Sequence, residues 1–343
     1  MVGSGNAAFG GVERHVIQLA NGLVLAGHAV AVFIGRQCPI DAAHGLVPEA
    51  QVHRVPAPDG RSFPAYAGEV ARGVARLRPC LVHTHLTYGL AAGVWAGLLT
   101  GAPVVHTEHF LVRKSGDSGP RGWMGAILRG RARTLICVSR MVQDGCTVVG
   151  GGADKVVIYS GVDPVVPPPQ WQPSRRLVYL GRLEPDKHVG VLVDAMGELQ
   201  VEGYVLDIVG TGSEEQTLRT RAGDLLTLGK VRFHGWQDEV GRFLEGAGAL
   251  LLPAKEALGY SALEAAAYGV PVVAPAASGA AEVVARTRRG ALVQQDGPGA
   301  WAEAIRGLAA LSATQAVLPD VFDRRHMIAD TLRVYQPLWD AIA

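Results

Sequence analysis

The chain has 343 residues, 32 basic against 31 acidic side chains, and 48% hydrophobic content. That length suits two domains with full cores, and the apolar share excludes a disordered chain. The near-zero charge excludes a general drive toward DNA, RNA or anionic lipid, and 44 glycines and 20 prolines without a period exclude collagen-like or low-complexity chains.

Met1–Gly11 is glycine-rich and lacks the basic start and apolar stretch of a leader, so no signal peptide is expected. Gly10-Gly11 opens a helical stretch with Val12, Val16, Leu19 and Leu23 on one face. Paired glycines there let the backbone approach a phosphate or a ring, or form a plain tight turn. Val30–Gly35, Leu81–His85, Val104–Thr107, Leu135–Ser139 and Val156–Tyr159 read as short strands, and Tyr66–Leu77 as a helix. Leu86–Val105 is as long as a membrane span, but Thr100-Gly101-Ala102-Pro103 splits it into a helix and a strand. Gly122–Arg133 places Trp123, Met124, Ile127 and Leu128 among Arg121, Arg129, Arg131 and Arg133. A solvated helix beside an acceptor loop, Arg113–Gly119, is favoured there over contact with a membrane surface. Cys38, Cys80, Cys137 and Cys146 form no CxxC pair and lie in or near apolar runs, which points to buried free thiols and a cytoplasmic location.

Pro164 to Pro173 holds five prolines and reads as a stiff extended connector. A second strand series follows: Leu177–Gly181, Leu206–Gly210, Val231–Gly235, Ala249–Pro253, Val270–Ala274 and Ala291–Val293, separated by helical stretches. This alternation predicts an α/β chain of two doubly wound, parallel-sheet domains, 1–163 and 174–323, facing across a ligand-binding cleft. The terminal stretch 324–343 reads as one helix, too apolar at Met327, Leu332, Val334, Tyr335, Leu338 and Trp339 for a free tail. A groove on the first domain is its expected dock.

Glu256 and Glu264 lie eight positions apart, the first in a loop after a strand, the second one turn into a helix. Between them, backbone N–H groups near Leu258, Gly259, Tyr260 and Ser261 begin that helix, a ready phosphate site. Carboxylates on either side suit sugar hydroxyls at the two ends of a diphosphate; alone they would suit a solvated loop equally well. Arg182 and Lys187 follow another strand end in the same half, a planar fork and a point charge of the kind a pyrophosphate requires.

With these features in order, the sequence resembles the retaining family 4 glycosyltransferases of the GT-B fold. The resemblance covers nearly the whole chain. It runs through Gly10-Gly11-x-Glu13, Thr107-Glu108-His109, Val138-Ser139, Ser160-Gly161-Val162-Asp163, Gly181-Arg182-Leu183 with Lys187, Val209-Gly210-x-Gly212, Glu256 to Glu264 with Gly269-x-Pro271, and Gly279-Ala-Ala-Glu282. It implies a UDP- or GDP-sugar donor and transfer to an acceptor hydroxyl with retention of configuration. Arg182 and Lys187 would stabilise the leaving diphosphate in place of a metal, so no cofactor and no metal are expected. Glu264 would hold the ribose, and Glu256 the transferred sugar. The backbone at Gly235-Trp236 would edge the base, with Trp236 chiefly packing. His109 would face the sugar beside the Gly10-Gly11 loop. His83, His85 and His106 are expected to be structural and not a zinc site.

The chain departs from the pattern in three places. Only Met1–Gly5 precedes the glycine loop, Ala257 stands where glycine is usual, and His188 follows Lys187 where glycine is common. A nucleotide-sugar epimerase of the same fold is the alternative. Less favoured is an NADP-binding oxidoreductase, suggested by Gly3-x-Gly5-x-x-Ala8.

Overall fold

A computed structural model describes residues 1–3, 10–56, 63–110 and 120–341. The Gly3-x-Gly5-x-x-Ala8 motif and the Arg113–Gly119 loop therefore fall wholly or mostly outside the described residues. The chain forms two compact units, Met1–Gly161 with Arg324–Ala343, and Val162–Asp323.

In the first unit seven strands run β1 (Val2–Gly3), β2 (Ala31–Gly35), β3 (Gln51–Val55), β4 (Val82–His85), β5 (Val104–Glu108), β6 (Thr134–Cys137) and β7 (Asp154–Val157). Their order across the sheet is β3-β2-β1-β4-β5-β6-β7, and every pairing is parallel. β4 and β5 are buried along their whole length, as expected of strands covered on both faces. Sequence reading missed β1, which is two residues long, and β3, an edge strand whose Gln51, His53 and Arg54 break the apolar pattern. The segment that resembled a membrane span is the helix Thr87–Thr100 followed by β5. Among the described residues no helix is long and apolar enough to cross a membrane.

In the second unit β8 (Gln170–Trp171) pairs antiparallel with the last strand. Then come β9 (Arg176–Leu180), β10 (Val205–Val209), β11 (Val231–Phe233), β12 (Ala249–Leu251), β13 (Val272–Pro275), β14 (Gly290–Val293) and β15 (Thr314–Gln315). The main sheet, β11-β10-β9-β12-β13-β14, is wholly parallel. Strand order thus reverses direction between β1 and β4 in one sheet and between β9 and β12 in the other. Ligands of such sheets bind beyond the carboxyl ends of the strands that flank the reversal.

Two segments differ in detail from their sequence reading. The proline-rich stretch is not a free connector throughout, because it clusters with the second unit. Trp171 anchors it: the indole is buried, donates to Ala247 O at 2.8 Å, and lies under the Arg289 guanidinium, 4.4 Å from its ring centre. The terminal helix, Arg324–Asp340, belongs to the first unit and buries Met327, Thr331 and Tyr335 there. It packs on the helix Gly11–Leu25, where a Cβ at Gly22 would run into the Ile328 side chain.

Candidate active site

The second unit collects its candidate groups beyond the two central strands. β9 ends into Gly181-Arg182-Leu183, where the Tyr179 hydroxyl donates to Arg182 O at 2.7 Å and leaves the Arg182 side chain exposed. Leu183 N donates to Thr211 O at 2.9 Å, which seats this turn against the loop after β10. The two loops can touch only because Gly210 has φ +134 and no side chain: a Cβ there would overlap Gly181 O. A short 3-10 turn, Pro185–Lys187, then delivers Lys187 Nζ to within 2.8 Å of Glu256 Oε1. Asp186 lies 3.6 Å from the same ammonium.

Glu256 follows β12. Its backbone is pinned from the loop after β13, since Glu256 N donates to Ser278 Oγ at 3.1 Å and Gly279 N donates to Glu256 O at 2.7 Å. Gly259, at φ +88, turns the chain into the helix Tyr260–Ala267, whose start carries no side-chain cap. The first N–H groups of a helix lack intrahelical acceptors and point outward with the positive end of its dipole. Leu258 is buried beneath this turn; Tyr260, Ser261 and Glu264 are part-exposed, with Glu264 a little more than one turn in. Lys187 and Glu256 thus meet from the segments after β9 and β12, strands that only the sheet order brings together, with Arg182 on the first segment and Glu264 in the helix that follows the second.

Gly235, at φ +65, passes a hydrogen bond from Gly210 N to its own O at 2.8 Å and ties its loop to the same edge. Trp236 is not a packing residue: it is 54% exposed and donates to Asp238 Oδ1 at 3.0 Å.

In the first unit Gly10 and Gly11 open the helix Gly11–Leu25, which carries Glu13 and His15 inward. His109 stands just past β5 and is part-exposed. Its Nε2 lies 3.0 Å from His85 Nδ1, and its ring meets His15 edge-on at 4.8 Å. His83 stacks on His85 with ring centres 4.5 Å apart. Tyr335 bonds His83 Nδ1, and Thr107 Oγ1 bonds His83 Nε2 at 2.7 Å. His15 Nδ1 meets Ser160 Oγ at 3.3 Å. Burial lowers His15 to about 4 and holds His83, His85 and His109 well below the usual histidine range. These rings are neutral near pH 7.

Nitrogens of His15, His85 and His109 lie within 4.8 Å of one another. A tetrahedral cation would draw them to edges of about 3.4 Å and would favour a partner on each ring's second nitrogen. His85 Nε2 has none.

His106 is buried and pairs with Glu108, which also meets Arg129 at 3.7 Å. Arg129 donates to Thr147 O at 2.9 Å, so this arginine of the basic helix serves the interior. Trp123 and Met124 of that helix are exposed. Cys38, Cys137 and Cys146 are buried free thiols, but Cys80 is exposed, because it sits in the turn before β4 instead of within the strand. Sequence reasoning missed His15, Ser278 and Tyr179. His15 could have been found two positions after Glu13 on the same helix; the other two carry no local signal.

Residues 169–318 match the family described as glycosyl transferases group 1, and residues 9–166 match glycosyltransferase family 4. Phosphatidyl-myo-inositol mannosyltransferase of Mycobacterium leprae is 30% identical, with 97% of this chain and 91% of that protein aligned. The chain belongs to the family 4 glycosyltransferases. D-inositol 3-phosphate glycosyltransferase of a Nocardioides species is 28% identical to this glycosyltransferase, over 97% of the chain and 86% of the relative. Among solved structures, Anabaena HepE in complex with UDP-glucose matches at a TM-score of 0.78, with 19% identity and 98% of each chain covered. Sucrose-phosphate synthase of Thermosynechococcus elongatus matches at 0.77, with 22% identity and 99% of each chain covered. The glycosyltransferase thus has the GT-B fold.

Proposed function

We propose that this glycosyltransferase takes its sugar from a UDP- or GDP-sugar held by the second unit and passes it to an acceptor hydroxyl with retention of configuration. The observation that carries the reading is the Lys187–Glu256 ion pair, 2.8 Å long, beside the uncapped start of the helix Tyr260–Ala267. The pairing holds the ammonium toward N–H groups that already favour an anion. A diphosphate there gains Lys187 and Arg182 as counter-charges and releases the Glu256 carboxylate to accept from sugar hydroxyls. Glu264, further along the helix, accepts from the ribose hydroxyls, and the backbone at Gly235-Trp236 edges the base.

As the glycosidic bond breaks, negative charge grows on the diphosphate, and fixed cations stabilise that developing charge more than the ground state. These two side chains do the work a divalent cation does elsewhere. The leaving phosphate takes the acceptor proton, so retention needs no protein base. His109 of the first unit faces the sugar in this scheme. The UDP-glucose complex of HepE, a protein of the same fold, supports a nucleotide-sugar donor.

Calorimetric titration with UDP, GDP and their sugars tests the reading, with product analysis on an acceptor panel. Binding that is weakened in Arg182→Ala and Lys187→Ala, with a transferred sugar in the product, is the expected result. Absence of binding by either nucleotide overturns it, and an epimerised but untransferred sugar would favour the epimerase.

A further inference from the structure

The 3.0 Å contact between His85 Nδ1 and His109 Nε2 constrains where both rings carry their protons. Both rings are neutral near pH 7 because burial disfavours the imidazolium. Two neutral imidazoles make a hydrogen bond there only if one of the facing nitrogens bears a proton and the other does not. The far side of His85 decides between the two arrangements. Its Nε2 is buried and, among the described residues, has no hydrogen-bond partner, on a residue with no exposed surface. Were His109 the donor, His85 would carry its own proton on that Nε2, as a buried N–H without an acceptor. In the backbone, orphaned buried N–H groups are rarer than under-satisfied acceptors, and the same preference applied to the ring leaves a bare nitrogen, not an N–H, without a partner.

We infer that His85 donates from Nδ1 to His109 Nε2, which fixes the proton of His109 on Nδ1 and makes His85 a positioning residue that presents His109 as a hydrogen-bond donor. The surrounding rings hold this arrangement. His83 stacks on His85 at 22° between planes and is itself bonded at both nitrogens, by Tyr335 and by Thr107. His15 lies edge-on to both His85 and His109 and is held by Ser160. Tyr335 comes from the terminal helix, so the far end of the sequence braces the rings beside His109. Resting on the proposed role of His109, the inference specifies that role: His109 offers an N–H to an oxygen of the sugar or acceptor, and its basic nitrogen is already engaged.

The test is long-range ¹H–¹⁵N correlation on the full chain labelled with ¹⁵N-histidine, with His109 assigned by its loss in His109→Gln. A protonated Nδ1 and bare Nε2 on His109 are expected. His85→Leu should shift His109 toward the Nε2–H form, whereas His85→Asn, whose amide N–H stands about where Nδ1–H was, should keep it. An Nε2–H His109 in the unaltered chain, or both of its nitrogens protonated, overturns the inference. So does coordination of all three rings by added Zn²⁺ at equimolar concentration. In transfer assays His85→Leu should lower kcat on the order of tenfold with donor KM little changed, and His85→Asn should restore it. If the spectra are as expected but neither His85→Leu nor His109→Gln alters transfer, the tautomer stands and the role of His109 in the reaction falls. If His85→Leu does not fold, the unaltered chain and His85→Asn still decide the outcome.

Discussion

In the second unit the candidate groups are charged and sit on loops: Arg182 is exposed, and the side chains of Lys187 and Glu256 keep 19% and 26% of their surface. In the first unit they are neutral rings at the ends of β4 and β5, bonded to one another, with His83 and His85 buried and His109 part-exposed. The contrast follows from what each place must hold. On the proposed function, charges that meet a diphosphate must be solvated when it is absent, because an unpaired buried charge costs far more than a polar one. Rings that only orient one another tolerate burial, provided they stay neutral. The first arrangement can exchange partners when a ligand arrives, and the second holds a fixed geometry.

Substitutions in each unit and a change of pH put this contrast to the test. Arg182→Ala should cost the largest amount, about 3–4 kcal/mol of transition-state stabilisation, read as a fall of 10²–10³ in kcat with folding unchanged. A loss below about tenfold would show that loop charge does little for the leaving group. Gly210→Ala should destabilise the second unit by about 3 kcal/mol, because its Cβ overlaps Gly181 O at a φ of +134. Urea unfolding followed by Trp171, Trp236 and Trp301, which lie in that unit, would show an unshifted midpoint if the loop can give way.

Acid should select the other unit. His15 is lowered to about 4 against its usual 6.5, so between those values the unfolded chain binds more protons than the folded one. Stability is therefore complete above pH 6.5 and falls as pH drops toward 4, by about 2 kcal/mol at pH 5 from His15 alone. Unfolding followed by Trp95, Trp123 and Trp339, which lie in the first unit, should move to lower urea at pH 5. His15→Gln should blunt that shift, and a midpoint that does not change with pH would refute the neutral, buried state. The smallest effect is expected from Tyr335→Phe, about 1 kcal/mol, since it removes one hydrogen bond to His83 but keeps the packed ring. Equal stability of Tyr335→Phe and the unaltered chain would show that the terminal helix is held by apolar contact alone.

Much of the fold was legible. The apolar run Leu177–Gly181 and the β-branched run Val104–Thr107 match their strands to within a residue. β1 and β3 were not legible, because two residues carry no period and a polar edge strand hides its alternation. Glu256, Glu264, Arg182 and Lys187 could be named because each follows a strand or opens a helix. Trp236 does not pack as expected, because its polar loop, His234 to Glu239, carries it into solvent.

Local periodicity and turn chemistry act over a few residues, so they mark the longer strands and the residue types at their ends, but not the two-residue β1, β8 and β15 or the polar β3. Only the tertiary structure decided that β9 lies beside β12 and β4 beside β5, since pairing between distant strands is settled by packing of the whole sheet. That choice places Lys187 on Glu256, 69 positions away, and His85 on His109, 24 away. No local pattern records either meeting.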